Sequence, residues 1–273
     1  MTRARTNWLY YTAIGLSVLA AIAGGVRYIP GIHWENWIQL VLFAALITYL
    51  QARTVKVENQ MNYSLATAAI FPVVYLYGIG AGILMSVLAG LVDSLAHKKG
   101  TDRALFNMAQ LSISSIACGT VYGLTGGTFG YGASLSDVLP MFVGGLAYIM
   151  ANVGLVTAIS TIVQGRGTRA RLARILRTID NDLIAGFWGI IFSLFAAHYS
   201  TWGIILLGAV FAQFSRFLEM GIRVTVERGL RKELEQELML DSKTKVYNFR
   251  YLNEWLSNPV VEQVAVLFID IDD

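Results

Sequence analysis

The chain has 273 residues, 55% of them hydrophobic and only 14% charged, with a mean hydropathy of +0.55, where a soluble domain carries about 25% charged residues. That balance excludes a water-soluble globule and makes the bilayer the solvent for most of the chain. A net charge of +3 gives no reason to expect a nucleic-acid partner, and the lone cysteine, Cys118, rules out an intrachain disulfide and reads as a bland buried thiol.

Apolar segments fall at roughly 8–26, 37–52, 64–77, 79–97, 104–124, 138–163, 183–199 and 201–218, against a spanning length of ~20 residues. No small-residue cleavage site follows the first, so it reads as a retained helix rather than a signal peptide. The third is short and is parted from the fourth by Gly78-Ile79-Gly80; the two could instead form one broken or re-entrant element. The sixth is long and contains Gly144-Gly145 and Asn152, which predict a kink or tilt. With the N-terminus inside, inner loops hold Arg3, Arg5, Arg53, Lys56, Lys98, Lys99, Arg103, Arg166, Arg169, Arg171, Arg174 and Arg177, whereas outer connections hold only Arg27. This asymmetry satisfies the positive-inside rule. Merging the third and fourth segments into a single crossing would invert every later loop. The expected fold is therefore mainly α: a polytopic transmembrane bundle of about 8 helices, N-in and C-in. The run from Arg166 to Arg177 reads either as a basic amphipathic helix on anionic lipid or as a solvated inner loop that fixes topology.

Polar residues inside the apolar runs are the first functional candidates, because ionisable groups within a span usually face the bundle interior. Asp93 and His97 are four apart on one helix face, and Asn107 and Gln110 are three apart on the next helix. They read either as a ligand-sensing cluster for an unknown small-molecule signal or as interfacial residues and interhelical hydrogen-bonding glue. His33, His97 and His198 are too scattered for a bis-histidine site. Gly82, Ser86 and Gly90, and Gly119 and Gly123, are spaced for close helix packing. Trp8, Tyr10, Tyr11, Trp34, Trp37 and Trp202 suit interfacial belts.

Beyond Arg216 the composition turns charged, with Leu218, Ile222, Val226, Leu230, Leu234 and Leu238 at steps of four. Such a row drifts by about 40° per step on 3.6-residue geometry, so it is not a strict heptad seam, and Gly221 and Gly229 weaken it further. The expectation is a linker helix at 215–240 that continues the last span into the cytoplasm. It would couple motion at the membrane to an output domain and pair with a second copy, giving a homodimer. A solvated helix without a partner is the alternative.

The last stretch opens with DSKTKVYNFRYLNEWL, in which Tyr251, Leu252, Trp255 and Leu256 make one apolar helix face. After Asn258-Pro259 comes VAVLFIDIDD, a strand-length apolar run ending in Asp270, Asp272 and Asp273. Carboxylates at the carboxyl end of a buried strand sit where open α/β sheets place ligands, and they supply the hard oxygens that Mg²⁺ prefers. Asp241, Thr244, Tyr247, Asn248, Arg250 and Tyr251, then Phe268, Asp270 and Asp272, stand in the order and spacing of the opening of a GGDEF domain, which this stretch resembles. Lys243, Lys245 and Phe249 stand where that family usually has Leu, Gly and Arg. The resemblance implies a diguanylate cyclase that makes cyclic di-GMP from two GTP held between two such domains. Asp270 and the backbone carbonyl of Ile271 would then be Mg²⁺ ligands, and the chain as written would hold no complete catalytic set.

Roughly 55–165, with its apolar pair, Asp93, basic loop, the Phe106-Asn107 to Ala109-Gln110 run and a glycine-containing span, resembles the MASE-type membrane sensor domains found ahead of GGDEF modules. Three parts are expected: a membrane sensor at 1–214, a signalling helix at 215–240, and the α/β opening of a GGDEF domain at 241–273. The implied setting is a multi-pass protein of a bacterial-type inner membrane with a cytoplasmic C-terminus, partnered by the lipid bilayer. A transporter-like protein, or a binding-only membrane receptor with a degenerate GGDEF domain, is the competing reading. An intact G-G-[DE]-E-F run would decide for the enzyme.

Overall fold

A computed structural model describes residues 3–32, 34–53, 55–57, 61–63, 65–164, 169–240 and 246–257. The protein is mainly helical. In chain order the elements are α1 (Arg3–Tyr28), α2 (Trp37–Ala52), β1 (Val55–Val57), β2 (Met61–Tyr63), α3 (Ala66–Ala96), α4 (Thr101–Leu124), α5 (Val138–Gln164), α6 (Arg169–Leu238) and α7 (Phe249–Leu256). Among the described residues, five helical stretches are long and apolar enough to cross a membrane: Asn7–Gly31, Ala66–Ala96, Thr101–Leu124, Leu135–Ile162 and Asp182–Lys232. The multi-pass membrane character expected from composition follows from them.

Two of these helices do not run straight. Gly78 in α3 has φ 85°, ψ 175°, a conformation open essentially to glycine alone. Ser200 in α6 has φ 51°, ψ −131°, which strains a residue bearing a side chain. In a straight helix, residues eight apart are separated by about 12 Å. Yet a Cβ on Gly82 would lie 2.5 Å from Val74, and a Cβ on Gly203 would lie 2.7 Å from the Phe195 carbonyl oxygen. The chain therefore doubles back at both points. The second reversal also lets Phe192 and Phe211 stack at 5.4 Å, although they are 19 positions apart.

The first half of α3 is the centre of the unit that ends at Glu219. Ala66 and Ala68 through Tyr77 are all buried, as expected of a helix that is apolar on every side. Phe43 of α2, Phe192 and Phe211 of α6, and Met141 and Tyr148 of α5 share its core. The second half of α3 meets α4 along the small-residue row: Ser86 and Ser115 hydroxyls are 2.7 Å apart, and a Cβ on Gly90 would stand 2.9 Å from the Met108 backbone nitrogen. The outward faces of α1 (Leu16, Leu19, Ile22, Val26) and α5 (Leu139, Phe142, Met150) remain exposed and apolar, as lipid-facing surfaces do.

The connections sort into two ends. At one, Gly80 approaches the Tyr28 carbonyl, Tyr77 and Tyr131 hydroxyls meet at 2.6 Å, and Gln39 donates to Thr201 at 3.0 Å. At the other, Tyr10 donates to Asp102 at 2.7 Å and Arg53 pairs with Glu219 at 2.8 Å. β1 and β2 form a short antiparallel hairpin that the sequence pattern does not announce, since three-residue strands carry too few alternations to register.

The second unit starts at Met220. Its first helical part is the end of α6, which continues to Leu238, so no helix boundary stands at the linker start expected near 215. α7 begins where the expected amphipathic helix does. The strand expected at 264–273, with Asp270, Ile271 and Asp272, lies outside the described residues. The side chains of the basic stretch Arg169–Arg177 do as well, although its backbone is helical from Arg169.

Candidate functional site

The local chemistry of the α3 C-terminus builds the first part of the site. Lys98 takes φ 50°; the Lys99 amide bonds the Ser94 carbonyl at 2.9 Å, and the Lys98 amide bonds that of Leu95 at 3.4 Å. This paired pattern closes a helix through a left-handed residue, usually glycine. Here it is lysine, at a cost of about 1–2 kcal/mol. The turn folds Lys99 back over the last helical turn, where its ammonium pairs with Asp93. Asp93 is buried, at 3% exposure. Its carboxylate also accepts from the Asn107 amide of α4 and lies 3.0 Å from His97 Nδ1. A buried carboxylate persists as an anion only when paired and hydrogen-bonded. Asp93 has both kinds of partner, and the group is closed.

Of the four residues singled out in the sequence, three come together: Asp93, His97 and Asn107. Gln110 does not join them. It is buried and turns to the other side of α4, where its amide donates to Asn152 of α5. Asn152 in turn hydrogen-bonds Asp182 near the start of the apolar part of α6. Tyr148, one turn from Asn152 on α5, is wholly buried, and its hydroxyl has no hydrogen-bond partner of ordinary length among the described residues. Thr67 of α3 is its longer-range hydrogen-bonding neighbour, and Asp182 and Cys118 are further polar groups acting on it. α4 thus carries two polar groups, one on each side, rather than a single cluster.

Lys99, Asn152, Asp182 and Tyr148 were missing from the sequence-derived set. A usable signal existed for one pair. Gln110 and Asn152 each lie 21 positions from Tyr131, the middle of the α4–α5 connection, and Cys118 and Gly144, which also meet, each lie 13 positions from it. Counting outward from the turn of an antiparallel helix pair aligns such residues. Asp182 offered no such signal, because it adjoins a basic stretch and reads as part of a loop.

Among the described residues, no group of three or more His, Cys, Asp or Glu side chains could hold a metal ion. The Mg²⁺ ligands implied for Asp270 and Ile271 fall outside the described residues.

In the second unit, Asn248 holds the chain between α6 and α7. Its amide nitrogen donates to the Leu238 carbonyl at 2.8 Å, its backbone N–H donates to Met239 at 2.8 Å, and its side-chain oxygen accepts from the Tyr251 N–H at 3.2 Å. It is at once the N-cap of α7 and a clamp on the last carbonyls of α6. Leu240 and Tyr247 form an isolated antiparallel bridge beside it. No family model, curated protein or solved structure matches the chain.

Proposed function

We propose that this chain is the membrane sensor and signalling helix of a protein whose cytoplasmic output is a diguanylate cyclase, making cyclic di-GMP from GTP with Mg²⁺. The observation that carries the reading is the role of Asn248. It is a residue of the GGDEF-like run, and it joins the end of α6 to the start of α7 through three hydrogen bonds. A linker helix passing motion to an output domain needs such a junction, since a loose connection would dissipate the displacement.

In this reading the bundle crosses the inner membrane eight times, with both termini inside. The reversals at Gly78 and Ser200 support that count, because each splits one long helix into two antiparallel arms. The loops rich in Lys and Arg set the sidedness. The exposed row Val226, Leu230, Leu234 and Leu238 supports pairing with a second copy. The group around Asp93 takes the signal, and a small polar molecule competing for Asn107 or Lys99 would loosen the end of α3.

The test is to express the complete gene in membranes, measure cyclic di-GMP production from GTP and Mg²⁺, and read the residues that follow Asp273. We expect turnover and an intact G-G-[DE]-E-F run. No turnover together with an eroded run would leave a binding-only receptor. Cysteines introduced at Ser134 and Thr201 label from outside and one at Thr101 does not; labelling of Ser134 and Thr101 from the same side would break the topology.

A further inference from the structure

We propose that the groove between α1, α3 and α4 holds one acyl chain of a membrane phospholipid, whose phosphate is met by Arg27. The site does not depend on the cyclase reading. The groove has a volume of about 470 Å³. Its floor is buried: Gly25 of α1, Ile83 in the second half of α3, and Ala109 and Ser112 of α4. Its rim is exposed: Ile22 and Val26 of α1, Val87 of α3 and Leu105 of α4. The rim belongs to the apolar surface that meets lipid, so the groove opens sideways into the bilayer and not to water.

Two neighbouring glycines show how the groove arises. A Cβ on Gly24 would run into the Ile116 side chain of α4, so α1 is drawn close there. Successive helix positions are about 100° apart, and Gly25 faces elsewhere. A Cβ on Gly25 would meet only the tip of Ile29, at 3.4 Å, although Gly25 is buried. Packed interiors leave few voids larger than a water molecule, and here the chain itself does not fill the space.

The lining decides what can fill it. Ser112 has the only polar side chain in the groove, and its hydroxyl already donates to the Met108 carbonyl at 2.7 Å. A polar molecule would lose its water partners and find none, whereas a hydrocarbon chain needs none. On α1 the lining runs from Val18 to Ile29, about 16 Å at 1.5 Å per residue. Spread over that length, the volume corresponds to a channel about 6 Å wide. A helix with its side chains needs about 10–12 Å, so the helix of a second copy does not fit. A single chain of carbons, each about 3.5–4.0 Å from the atoms it touches, does.

Charge sets the direction of the chain. Arg27 stands exposed at the Val26–Ile29 end, its guanidinium carbon 5.5 Å from the Tyr28 ring centroid. A guanidinium takes phosphate oxygens through paired hydrogen bonds. At the Leu105 end an acid, Asp102, stands beside Arg103 and accepts from Tyr10, an arrangement that repels phosphate.

The experiment is photo-cross-linking of the whole chain in nanodiscs that contain phosphatidylglycerol with a diazirine in one acyl chain, followed by mass mapping of the adducts. We expect adducts to concentrate at 18–29 and 105–112. Gly25→Leu, which fills the floor, should lower them severalfold. Gly15→Leu, at an exposed position of α1 with open space around it, should leave them unchanged. Should Gly25→Leu fail to insert, Ala21→Leu on the same lining stripe carries the test. Diacylglycerol with the same diazirine chain should label less than phosphatidylglycerol, and Arg27→Gln should erase that difference. Labelling as strong on the exposed α5 residues Leu139, Phe142 and Met150, or groove labelling unmoved by the filling variants, would mean bulk lipid only and overturn the site. Equal labelling by the two lipids in the native protein would overturn the role of Arg27. A disulfide between copies carrying Ile22→Cys, formed in place of lipid adducts, would put a second copy over the groove and refute the lipid.

Discussion

Asp93 and Asp182 are both aspartates of long apolar helices with an asparagine partner, and α4 runs between their two groups. Asp93 is fully buried and has a cation, an imidazole and an amide around it. Asp182 is half-buried and has only neutral company among the described residues. The difference teaches that depth alone does not determine an acid's role. A carboxylate held by a lysine, a histidine and an amide ties the end of one helix to the next, whereas one held by an amide alone contributes a single neutral hydrogen bond to its surroundings.

The largest effect expected from this contrast comes from Lys99→Met. It leaves the Asp93 carboxylate buried without its ammonium, for which about 3–5 kcal/mol is the usual cost. Lys99 is itself partly open, at 23% side-chain exposure, so the lower end of that range applies. Thermal unfolding in detergent should show a large fall, and the double variant Asp93→Asn with Lys99→Met should regain most of it. A double variant as unstable as Lys99→Met alone would mean that the lysine matters for packing and not for charge.

On the other side of α4, Gln110→Leu should cost less. It strips a donor from the Asn152 oxygen and leaves that acceptor unpaired, about 1–3 kcal/mol in a closed interior and ~0.6–2 kcal/mol for an interhelical bond within a bilayer. Pairing Gln110→Leu with Asn152→Leu should recover stability. Additive losses in that cycle would deny the bond.

The sequence made some of this legible and hid the rest for physical reasons. The apolar runs, the break at Gly78, the turn at 199–201 and the small-residue row were readable, because glycine conformation and hydrophobic length act locally. Asp93 with Asn107 was readable because the two helices are joined by a short turn, so their adjoining ends must meet. Gln110 was misplaced because residues three apart on a helix diverge by about 60°, enough to face different neighbours when a helix is packed on two sides. Asp182 follows a run of arginines that reads as a loop, so the sequence gives no sign that α6 already begins at Arg169. The hairpin β1–β2 is too short to leave a pattern.

A smaller effect tests how the Asp93 group is assembled. Lys98 sits at φ 50° in the position where a glycine ordinarily closes such a turn. Lys98→Gly should therefore stabilise the protein by about 1 kcal/mol without disturbing the pair between Asp93 and Lys99. Destabilisation would show that the Lys98 side chain has a contact worth more than its strain.

The smallest effect is expected for the substitution that should be costly if every acid in an apolar helix were alike. Asp182→Asn keeps the shape and hydrogen-bonding reach of the side chain and exchanges one carboxyl oxygen for an amide nitrogen. No cation among the described residues is left stranded, Asn152 can still bond an amide, and Tyr148 can still bond the remaining carbonyl oxygen. Stability should stay within about 0.5 kcal/mol of native, the range of a substitution that breaks no special feature. The same change at Asp93 should cost about 2 kcal/mol, since a charge-assisted hydrogen bond is replaced by neutral ones and the Lys99 ammonium loses its anion. The measurement is one pair of unfolding curves for Asp182→Asn and Asp93→Asn in the same detergent. Equal losses at the two sites would mean that Asp182 is held by a charge of its own, and it would then be a structural ion-pair partner like Asp93.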